Sequence, residues 1–205
     1  MKKPFIAIEG PIGVGKSSLA HLLSQSYHFY EAKEIVGENP YLSDFYTDIS
    51  KWSFQTEMFF LCHRYKAYQD LAEHTEGIVS DYHIYKNKIF ARNTLNEIEY
   101  DKFSRIYDIL TEDLIHPDFT VILDADLAVL KKRIAQRDRH FEAHIEDSYL
   151  LKLKEDYANY YTSLKNEGHA VLWIDTTHID FVQNEADYHA IRHQINELIG
   201  GYENE

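Results

Sequence analysis

The segment Gly10-Pro11-Ile12-Gly13-Val14-Gly15-Lys16-Ser17 decides how this chain folds. It lies between an apolar run of strand length, Phe5-Ile6-Ala7-Ile8, and a segment with helical spacing, as the pattern G-x-x-x-x-G-K-[ST] requires. The glycines let backbone N–H groups point at phosphate oxygens, and the following helix adds its positive dipole end. Lys16 supplies a cation, and Ser17 supplies a hydroxyl ligand for Mg²⁺. The sequence therefore predicts a nucleoside triphosphate site formed by Gly10, Pro11, Ile12, Gly13, Val14, Gly15, Lys16, Ser17 and Ser18.

Length, charge and cysteine content restrict the class of protein. The 205 residues suffice for one α/β domain, so we expect a single domain over residues 1–205. The net charge of −13 would repel a phosphate backbone, so we expect no nucleic-acid partner, and no run is long enough for a membrane partner. Cys62, the only cysteine, excludes an intrachain disulfide and favours the cytoplasm, and its apolar neighbours predict a buried thiol.

Strand-like runs alternate with helix-like segments along the chain, a pattern that predicts a parallel sheet flanked by helices on both faces. Ligands of such sheets bind at the carboxyl ends of the strands. The predicted strands cover residues 4–9, 32–36, 77–81, 119–124 and 170–175. The predicted helices cover residues 16–27, 52–73, 84–97, 99–115, 127–137, 146–167 and 185–199, and Pro40 is suited to begin a further helix.

Three arginines, Arg133, Arg137 and Arg139, lie at the end of one predicted helix and in the turn after it. Arg133 and Arg137 are four residues apart and share a helix face. Their guanidinium groups can clamp a transferring phosphoryl group, whose charge is spread over three oxygens. The alternative is a solvated basic helix end that the helix dipole favours. In so acidic a chain the local cluster favours the functional interpretation.

Carboxylates follow three predicted strands. Asp81 and Asp124 each end an apolar strand, and either can be the acid near Mg²⁺. If Asp124 is not that acid, it would cap the next helix or lie in solvent. Glu38 lies in the turn after the second predicted strand, at the ligand edge of the sheet. A carboxylate there can take the proton of an attacking hydroxyl, although an isolated glutamate in a turn commonly has no such role.

Taken together, these residues resemble the deoxynucleoside kinase family. The resemblance spans nearly the whole chain and rests on residues 10–17, 38–42, 45–46, 52–61 and 81–87, the arginine cluster, and residues 142–150. It implies an α/β P-loop kinase with a central parallel sheet of about five strands. It also implies ATP and Mg²⁺ as cofactors, a small deoxynucleoside substrate and a homodimer. Arg137 and Arg139 match an arginine-rich lid over about residues 133–145 that closes on the donor phosphates, with Arg133 beside them.

The resemblance also implies roles for residues around the acceptor. Glu38 matches the general base that accepts the proton of the nucleoside 5′-hydroxyl. Tyr46 and Glu142 match the pair that holds the sugar 3′-hydroxyl. Asp81 matches the acid near the metal and is therefore preferred to Asp124.

A stripe of one long predicted helix bears on the choice of base. Phe54, Glu57, Leu61 and Arg64 recur at helical spacing, and an acid and an arginine in an apolar stripe are costly to bury unless paired. They either form an ion pair or bind a base. Where the family often has glutamine, Glu57 offers only acceptors, which suit the N1–H and N2–H₂ donors of guanine. Arg64 can donate to guanine O6 and N7, and Asn87 matches a position near the base.

One position departs from the family pattern. Most members have an arginine after the acid of the third strand, close to the reacting hydroxyl, and this chain has Tyr82. Lys86 or Lys88 are candidates to replace that charge. The alternative is that Tyr82 only packs against the base pocket.

The sequence thus predicts a kinase that transfers the γ-phosphoryl group of ATP to the 5′-hydroxyl of a purine deoxynucleoside, with guanine or hypoxanthine as the favoured base. Alternatives are a deoxyadenosine or broader deoxynucleoside kinase, a thymidylate-type monophosphate kinase, and a nucleotide-binding switch that transfers no phosphate. A monophosphate kinase must grip an acceptor phosphate, and Tyr82 removes a natural position for doing so.

Overall fold

A computed structural model describes residues 3–34, 37–137, 142 and 145–202 of the chain. Five strands pair in parallel in the order β2-β3-β1-β4-β5, which confirms the predicted five-stranded parallel sheet. The strands are β1 (Phe5–Glu9), β2 (Tyr30–Ala32), β3 (Ile78–Ser80), β4 (Phe119–Asp124) and β5 (Val171–Asp175).

Helices connect the strands and cover the sheet. They are α1 (Lys16–Tyr27), α2 (Leu42–Thr47), α3 (Ile49–Leu71), α4 (Lys86–Thr94), α5 (Glu97–Thr111), α6 (Leu127–Arg137), α7 (Asp147–Asn166) and α8 (Glu185–Tyr202). Side chains cap the N-termini of α3 and α5: Asp48 accepts from the N–H of Lys51, and Asn96 accepts from the N–H of Glu99. Among the described residues, no helix has both the length and the apolar character needed to cross a membrane.

Alternating residues of the central strands pack on opposite faces of the sheet. Ile6 and Ile8 of β1 belong to a core cluster with residues of α1 and α8, whereas Phe5 packs with residues of α3 and α5. In the same way, Val121 of β4 faces the first cluster, and Ile122 packs with residues of α7. Both faces of the sheet are therefore buried, as the near-continuous apolar runs of these strands predict.

Two local predictions were wrong. Strand β2 ends at Ala32 rather than Val36, so Glu34 lies beyond the carboxyl end of the strand. The thiol of Cys62 is exposed rather than buried, because the buried stripe of α3 runs through Glu57, Leu61 and Arg64, and Cys62 faces away from it.

Candidate active site

A cavity of about 770 Å³ lies at the carboxyl ends of β1, β2 and β3. This volume suits a drug-sized ligand or larger. The phosphate loop and the first turn of α1 form one part of its wall, and α2 and α3 form another. Its charged and polar lining includes Lys16, Ser17, Glu34, Tyr46, Glu57, Arg64, Asp81, Lys86, Arg133, Arg137 and Glu142. The structure therefore brings most of the predicted site residues to one cavity.

The phosphate loop has the conformation that its glycines were expected to allow. Gly10 and Gly13 have φ angles of 139° and 83°, a region that side chains disfavour. A Cβ atom at Gly10 would lie 2.3 Å from the carbonyl oxygen of Leu123, and one at Gly13 would lie 2.6 Å from Cγ1 of Ile134. Only glycine fits these two positions, so the loop backbone stays open to a ligand.

Lys16 lies in the cavity, and the pKa of its ammonium group is low. Its Nζ donates to the carbonyl oxygens of Gly10 and Pro11 at 2.8 and 3.0 Å. Burial, with the nearby ammonium of Lys86, lowers the pKa of Lys16 to about 7, although the carboxylates of Glu9 and Glu34 oppose the shift. A phosphate group would replace the loop carbonyls as the partner of this side chain.

Ser17 and Asp81 are adjacent on the cavity wall. The Ser17 hydroxyl donates to Oδ2 of Asp81 at 2.5 Å, and Oδ1 of Asp81 accepts from the N–H of Glu34 at 2.7 Å. A hydroxyl and a carboxylate oxygen at this distance are hard donors of the kind Mg²⁺ selects, so these residues fit the metal. The alternative acid, Asp124, pairs with Nζ of Lys154 at 2.6 Å and is not part of the cavity lining.

The structure does not bring Glu38 into the cavity. Glu38 is exposed in the turn that leads to α2, and it is absent from the cavity lining. Glu34 occupies the position that was expected for Glu38. Strand β2 ends at Ala32, so the first carboxylate after the strand is that of Glu34, which lines the cavity. Sequence reasoning missed Glu34 because it extended the strand through residues 35 and 36.

Two cations surround the Glu34 carboxylate. Arg64 donates to Oε1 from both Nε, at 3.0 Å, and NH2, and Nζ of Lys86 donates to Oε2 at 2.7 Å. Burial alone would raise the pKa of Glu34, but Lys86 and Arg64 outweigh it and hold that pKa well below its usual range. Glu34 is therefore an anion over the whole physiological range.

Glu57 and Arg64 lie on the cavity wall without forming an ion pair with each other among the described residues. Arg64 directs three of its N–H groups elsewhere: two to Glu34, and one to Oδ1 of Asn87 at 2.6 Å. Among the described residues, no hydrogen-bond partner is found for the buried Oε2 of Glu57, and burial raises the pKa of this carboxyl to about 7. Asn87 lies behind Arg64 and does not line the cavity, and its Nδ2 also lacks a partner.

The predicted sugar pair and part of the arginine cluster also reach the cavity. Tyr46 and Glu142 both line it, and Oε1 of Glu142 accepts from NH2 of Arg137 at 3.0 Å. Arg133 lines the cavity as well. Its NH1 and NH2 groups donate to Val14, Thr176 and Ile179, and these bonds connect the phosphate loop to the loop after β5. Arg139 lies outside the described residues.

Tyr82, Lys86 and Lys88, the positions considered for the missing family arginine, have different surroundings. Tyr82 is 2% exposed and packs in the core cluster below α3 and α5, and it does not line the cavity. Lys88 pairs with Asp108 at the surface at 2.7 Å, whereas Lys86 reaches Glu34. Glu9, which sequence reasoning did not select, is fully buried and accepts from the His83 N–H and, at 2.7 Å, from the Tyr157 hydroxyl.

Comparisons with known proteins bear on the family and the fold. The family model described as deoxynucleoside kinase matches residues 6–200. The chain is 47% identical over 202 residues to the deoxyguanosine kinase of Bacillus subtilis strain 168, which covers 96% of this chain and 98% of that protein. It is 33% identical over 167 residues to the deoxyadenosine/deoxycytidine kinase of the same organism, with 78% and 77% covered. A solved structure of a deoxyadenosine kinase from M. mycoides with bound dATP has the same fold, with a TM-score of 0.82 at 24% identity over 94% of this chain and 99% of that one.

Proposed function

Because the chain belongs to the deoxynucleoside kinase family, we propose that it transfers the γ-phosphoryl group of ATP to the 5′-hydroxyl of deoxyguanosine. The observation that carries the proposal is one cavity that holds a phosphate loop at one end and the buried Glu57 carboxyl at the other, whose Oε2 has no hydrogen-bond partner among the described residues. The substrate choice also rests on the likeness to the deoxyguanosine kinase of B. subtilis.

The proposed mechanism is in-line transfer between two bound substrates. The phosphate loop and Lys16 hold the donor phosphates, and Arg137, with Arg139 as a further candidate, neutralises charge on the transferring group. Ser17 and Asp81 would hold Mg²⁺, which supplies charge neutralisation on the phosphate oxygens when it is bound. The Glu34 carboxylate takes the proton of the 5′-hydroxyl. Because its pKa is low, Glu34 is a weak base, and such a base suits a transition state in which the hydroxyl proton moves late.

Recognition of the base is assigned to the far end of the cavity. An ionised Glu57 offers two acceptor oxygens for the N1–H and N2–H₂ donors of guanine. Adenine offers one donor and one acceptor on the same edge, so it would leave an acceptor of Glu57 facing another acceptor. Two N–H groups of Arg64 are not used by Glu34 or Asn87, and they are candidates for O6 and N7. Tyr46 and Glu142 are proposed to hold the 3′-hydroxyl.

The experiment that tests the proposed activity is ADP release from ATP and Mg²⁺ with each of the four deoxynucleosides, deoxyinosine and dTMP. We expect deoxyguanosine to give the highest kcat/KM. A response to dTMP alone would replace the proposal by a monophosphate kinase. ADP release that no acceptor increases would replace it by a nucleotide-binding switch.

The assignment of Glu34 as the general base is tested by comparing Glu34→Gln with Glu38→Gln. The first variant keeps the shape of the side chain but removes the proton acceptor, so we expect kcat for deoxyguanosine to fall about 10²–10⁴-fold. The second changes an exposed side chain outside the cavity, so its kcat should stay within about twofold of wild type. The reverse result would return the role to Glu38.

The family resemblance also supports two proposals about the whole protein: that it is a homodimer, and that it works in the cytoplasm on small molecules rather than on nucleic acids or membranes. The net charge of −13 supports the exclusion of nucleic acid, and the single cysteine supports a reducing compartment. Light scattering coupled to size-exclusion chromatography measures the mass in solution. A mass of one chain would contradict the homodimer.

A further inference from the structure

We propose that Lys86 is a catalytic residue of this reaction: its ammonium contacts the attacking 5′-oxygen and the incoming γ-phosphoryl group beside Glu34. The inference rests on the proposed function and on Glu34 as the proton acceptor. It assigns to a specific side chain the positive charge that the phosphoryl transfer needs on the acceptor side of the cavity.

The hydrogen bonds of Glu34 distinguish its two carboxylate oxygens. Oε1 accepts two N–H groups of Arg64, whereas Oε2 accepts one from Lys86. Because a carboxylate oxygen has about two acceptor sites, Oε1 is saturated and Oε2 can accept one more donor. The 5′-hydroxyl must therefore donate to Oε2, and this places the attacking oxygen next to Nζ of Lys86.

Lys86 has donors left for a substrate. An ammonium group carries three N–H donors, and one of them goes to Glu34 at 2.7 Å. Among the described residues, no second hydrogen bond of Nζ is found; the Phe90 ring lies 5.2 Å away. The side chain is buried yet lines the cavity, so its remaining donors face the space where the acceptor and the γ-phosphoryl group meet.

The position of Lys86 is unfavourable for a cation in two respects, which its ion pair with Glu34 offsets. Lys86 is the first residue of α4, where the positive end of the helix dipole disfavours a cation. Its charge also helps to lower the pKa of Lys16, so the two ammonium groups repel each other across the cavity. Arg64 alone would neutralise Glu34. With Lys86 as a second cation, the group formed by Glu34, Arg64 and Lys86 carries a net positive charge, which suits a transferring phosphoryl group.

The turn before Lys86 is held in place by hydrogen bonds to the end of β1. The carboxylate of Glu9, at the end of β1, accepts the His83 backbone N–H, and the Lys86 N–H donates to the His83 carbonyl oxygen at 3.0 Å. Glu9 also accepts the Tyr157 hydroxyl from α7. These bonds fix the start of α4 relative to the phosphate loop, so Lys86 is positioned before any ligand binds.

The step balances without a further reactant. The bond between the 5′-oxygen and the γ-phosphorus forms, and the bond from that phosphorus to the oxygen of the ADP leaving group breaks. The 5′-hydroxyl proton passes to Oε2 of Glu34. Lys86 keeps its proton throughout and donates hydrogen bonds to the attacking oxygen and to a γ-phosphoryl oxygen.

The test compares Lys86→Met, Lys86→Arg and Lys88→Met. Lys88 is the matched control, because it lies two residues away on α4 and pairs with Asp108 at the surface. For each variant, kcat and KM for deoxyguanosine are measured under saturating ATP and Mg²⁺. Calorimetric binding of deoxyguanosine and the Tm of each variant show that its site is folded.

We expect Lys86→Met to lose about 10²–10³-fold in kcat, with KM for deoxyguanosine within about threefold of wild type. The kcat of Lys86→Arg should be at least about tenfold higher than that of Lys86→Met, and the kcat of Lys88→Met should stay within about twofold of wild type. A folded Lys86→Met with kcat within about threefold of wild type would overturn the inference. So would a variant that loses deoxyguanosine affinity while keeping kcat, because Lys86 would then only support the fold of the site.

If Lys86→Met does not fold, Lys86→Gln is measured by the same criteria, and Lys86→Arg provides a second comparison. An arginine variant that binds deoxyguanosine normally but turns over no faster than the glutamine variant would overturn the inference. The proposed function fails separately: wild-type protein without activity on any deoxynucleoside contradicts it, and the Lys86 proposal with it. Active wild type with active Lys86→Met contradicts the Lys86 proposal alone.

Discussion

At the scale of single residues, the cavity combines groups whose charges depend strongly on their neighbours. Arg64 and Lys86 keep Glu34 ionised, whereas burial raises the pKa of Glu57 to about 7, although the two carboxylates lie in the same cavity. The difference follows mainly from charge: the Lys86 ammonium and the Arg64 guanidinium lie against Glu34 and also donate hydrogen bonds to it, whereas Oε2 of Glu57 has no hydrogen-bond partner among the described residues. One carboxylate thus stays ionised beside two cations, and the other changes its charge near neutral pH.

The lowered pKa of Lys16 predicts that ATP binding takes up a proton. With a pKa of about 7, Lys16 is mostly neutral at pH 8 in the free protein, and a triphosphate raises that pKa by its negative charge. Binding at pH 8 should therefore take up about 0.9 proton, and binding at pH 6 should take up almost none, since Lys16 is already charged there. Calorimetry in buffers of different ionisation enthalpy measures this number. No uptake at pH 8 would contradict the expected change in Lys16.

At the scale of the elements, the phosphate loop depends on how closely it approaches α6 and β4. Gly13 meets Ile134 and the carbonyl oxygen of Leu130, both in α6, and Gly10 meets the carbonyl oxygen of Leu123 in β4. Arg133 adds hydrogen bonds from α6 to Val14 of the loop and to Thr176 after β5. The loop is therefore held by the elements around it as well as by its own glycines.

This packing predicts that Gly13→Ala destabilises the fold and weakens ATP binding. The left-handed conformation costs roughly 1–2 kcal/mol for a side chain, and the new methyl group would overlap with Ile134, so Tm should fall by several degrees. ATP affinity should fall at least about tenfold. Gly37→Ala is the control, because no atom lies within 4 Å of a Cβ there, and it should change both quantities little. Equal effects of the two variants would contradict the account of the loop.

Much of the architecture can be predicted from local patterns, and the site only in part. Helix α1 and strand β4 begin and end where periodicity placed them, since their apolar residues pack against a fully buried sheet. Strand β2 is a short edge strand of three residues. The apolar pair at positions 35 and 36 led to a predicted strand that lies further along the chain. Because of that displacement, sequence reasoning placed the proton acceptor at Glu38, whereas the acceptor proposed from the structure is Glu34. The pairing of Lys86 with Glu34 joins residues 52 positions apart, and local patterns contain no signal for it.

At the scale of the whole molecule, ligand binding should stabilise the fold in a substrate-dependent way. The cavity lies between the sheet edge and several helices, so a bound nucleoside contacts elements that are distant in the chain. At a concentration 100 times its Kd, a ligand that binds only the folded state adds about 2.7 kcal/mol, or about 5–10 °C in Tm for a chain of this size. Deoxyguanosine should give such a shift, and dTMP at equal concentration should give little. A larger shift with dTMP would favour a monophosphate kinase.

Selection of guanine through the Glu57 carboxylate is tested most directly by a competition experiment. Equal amounts of deoxyguanosine and deoxyadenosine are supplied with ATP and Mg²⁺, and the ratio of dGMP to dAMP is measured for wild type and Glu57→Gln. We expect dGMP to dominate with wild type, and the ratio to fall at least about tenfold with the amide, which offers a donor in place of an acceptor. Because the pKa of Glu57 is raised to about 7, the wild-type preference should also increase as pH rises through that value. A wild type that forms mainly dAMP, or a ratio that Glu57→Gln leaves unchanged, would contradict the account.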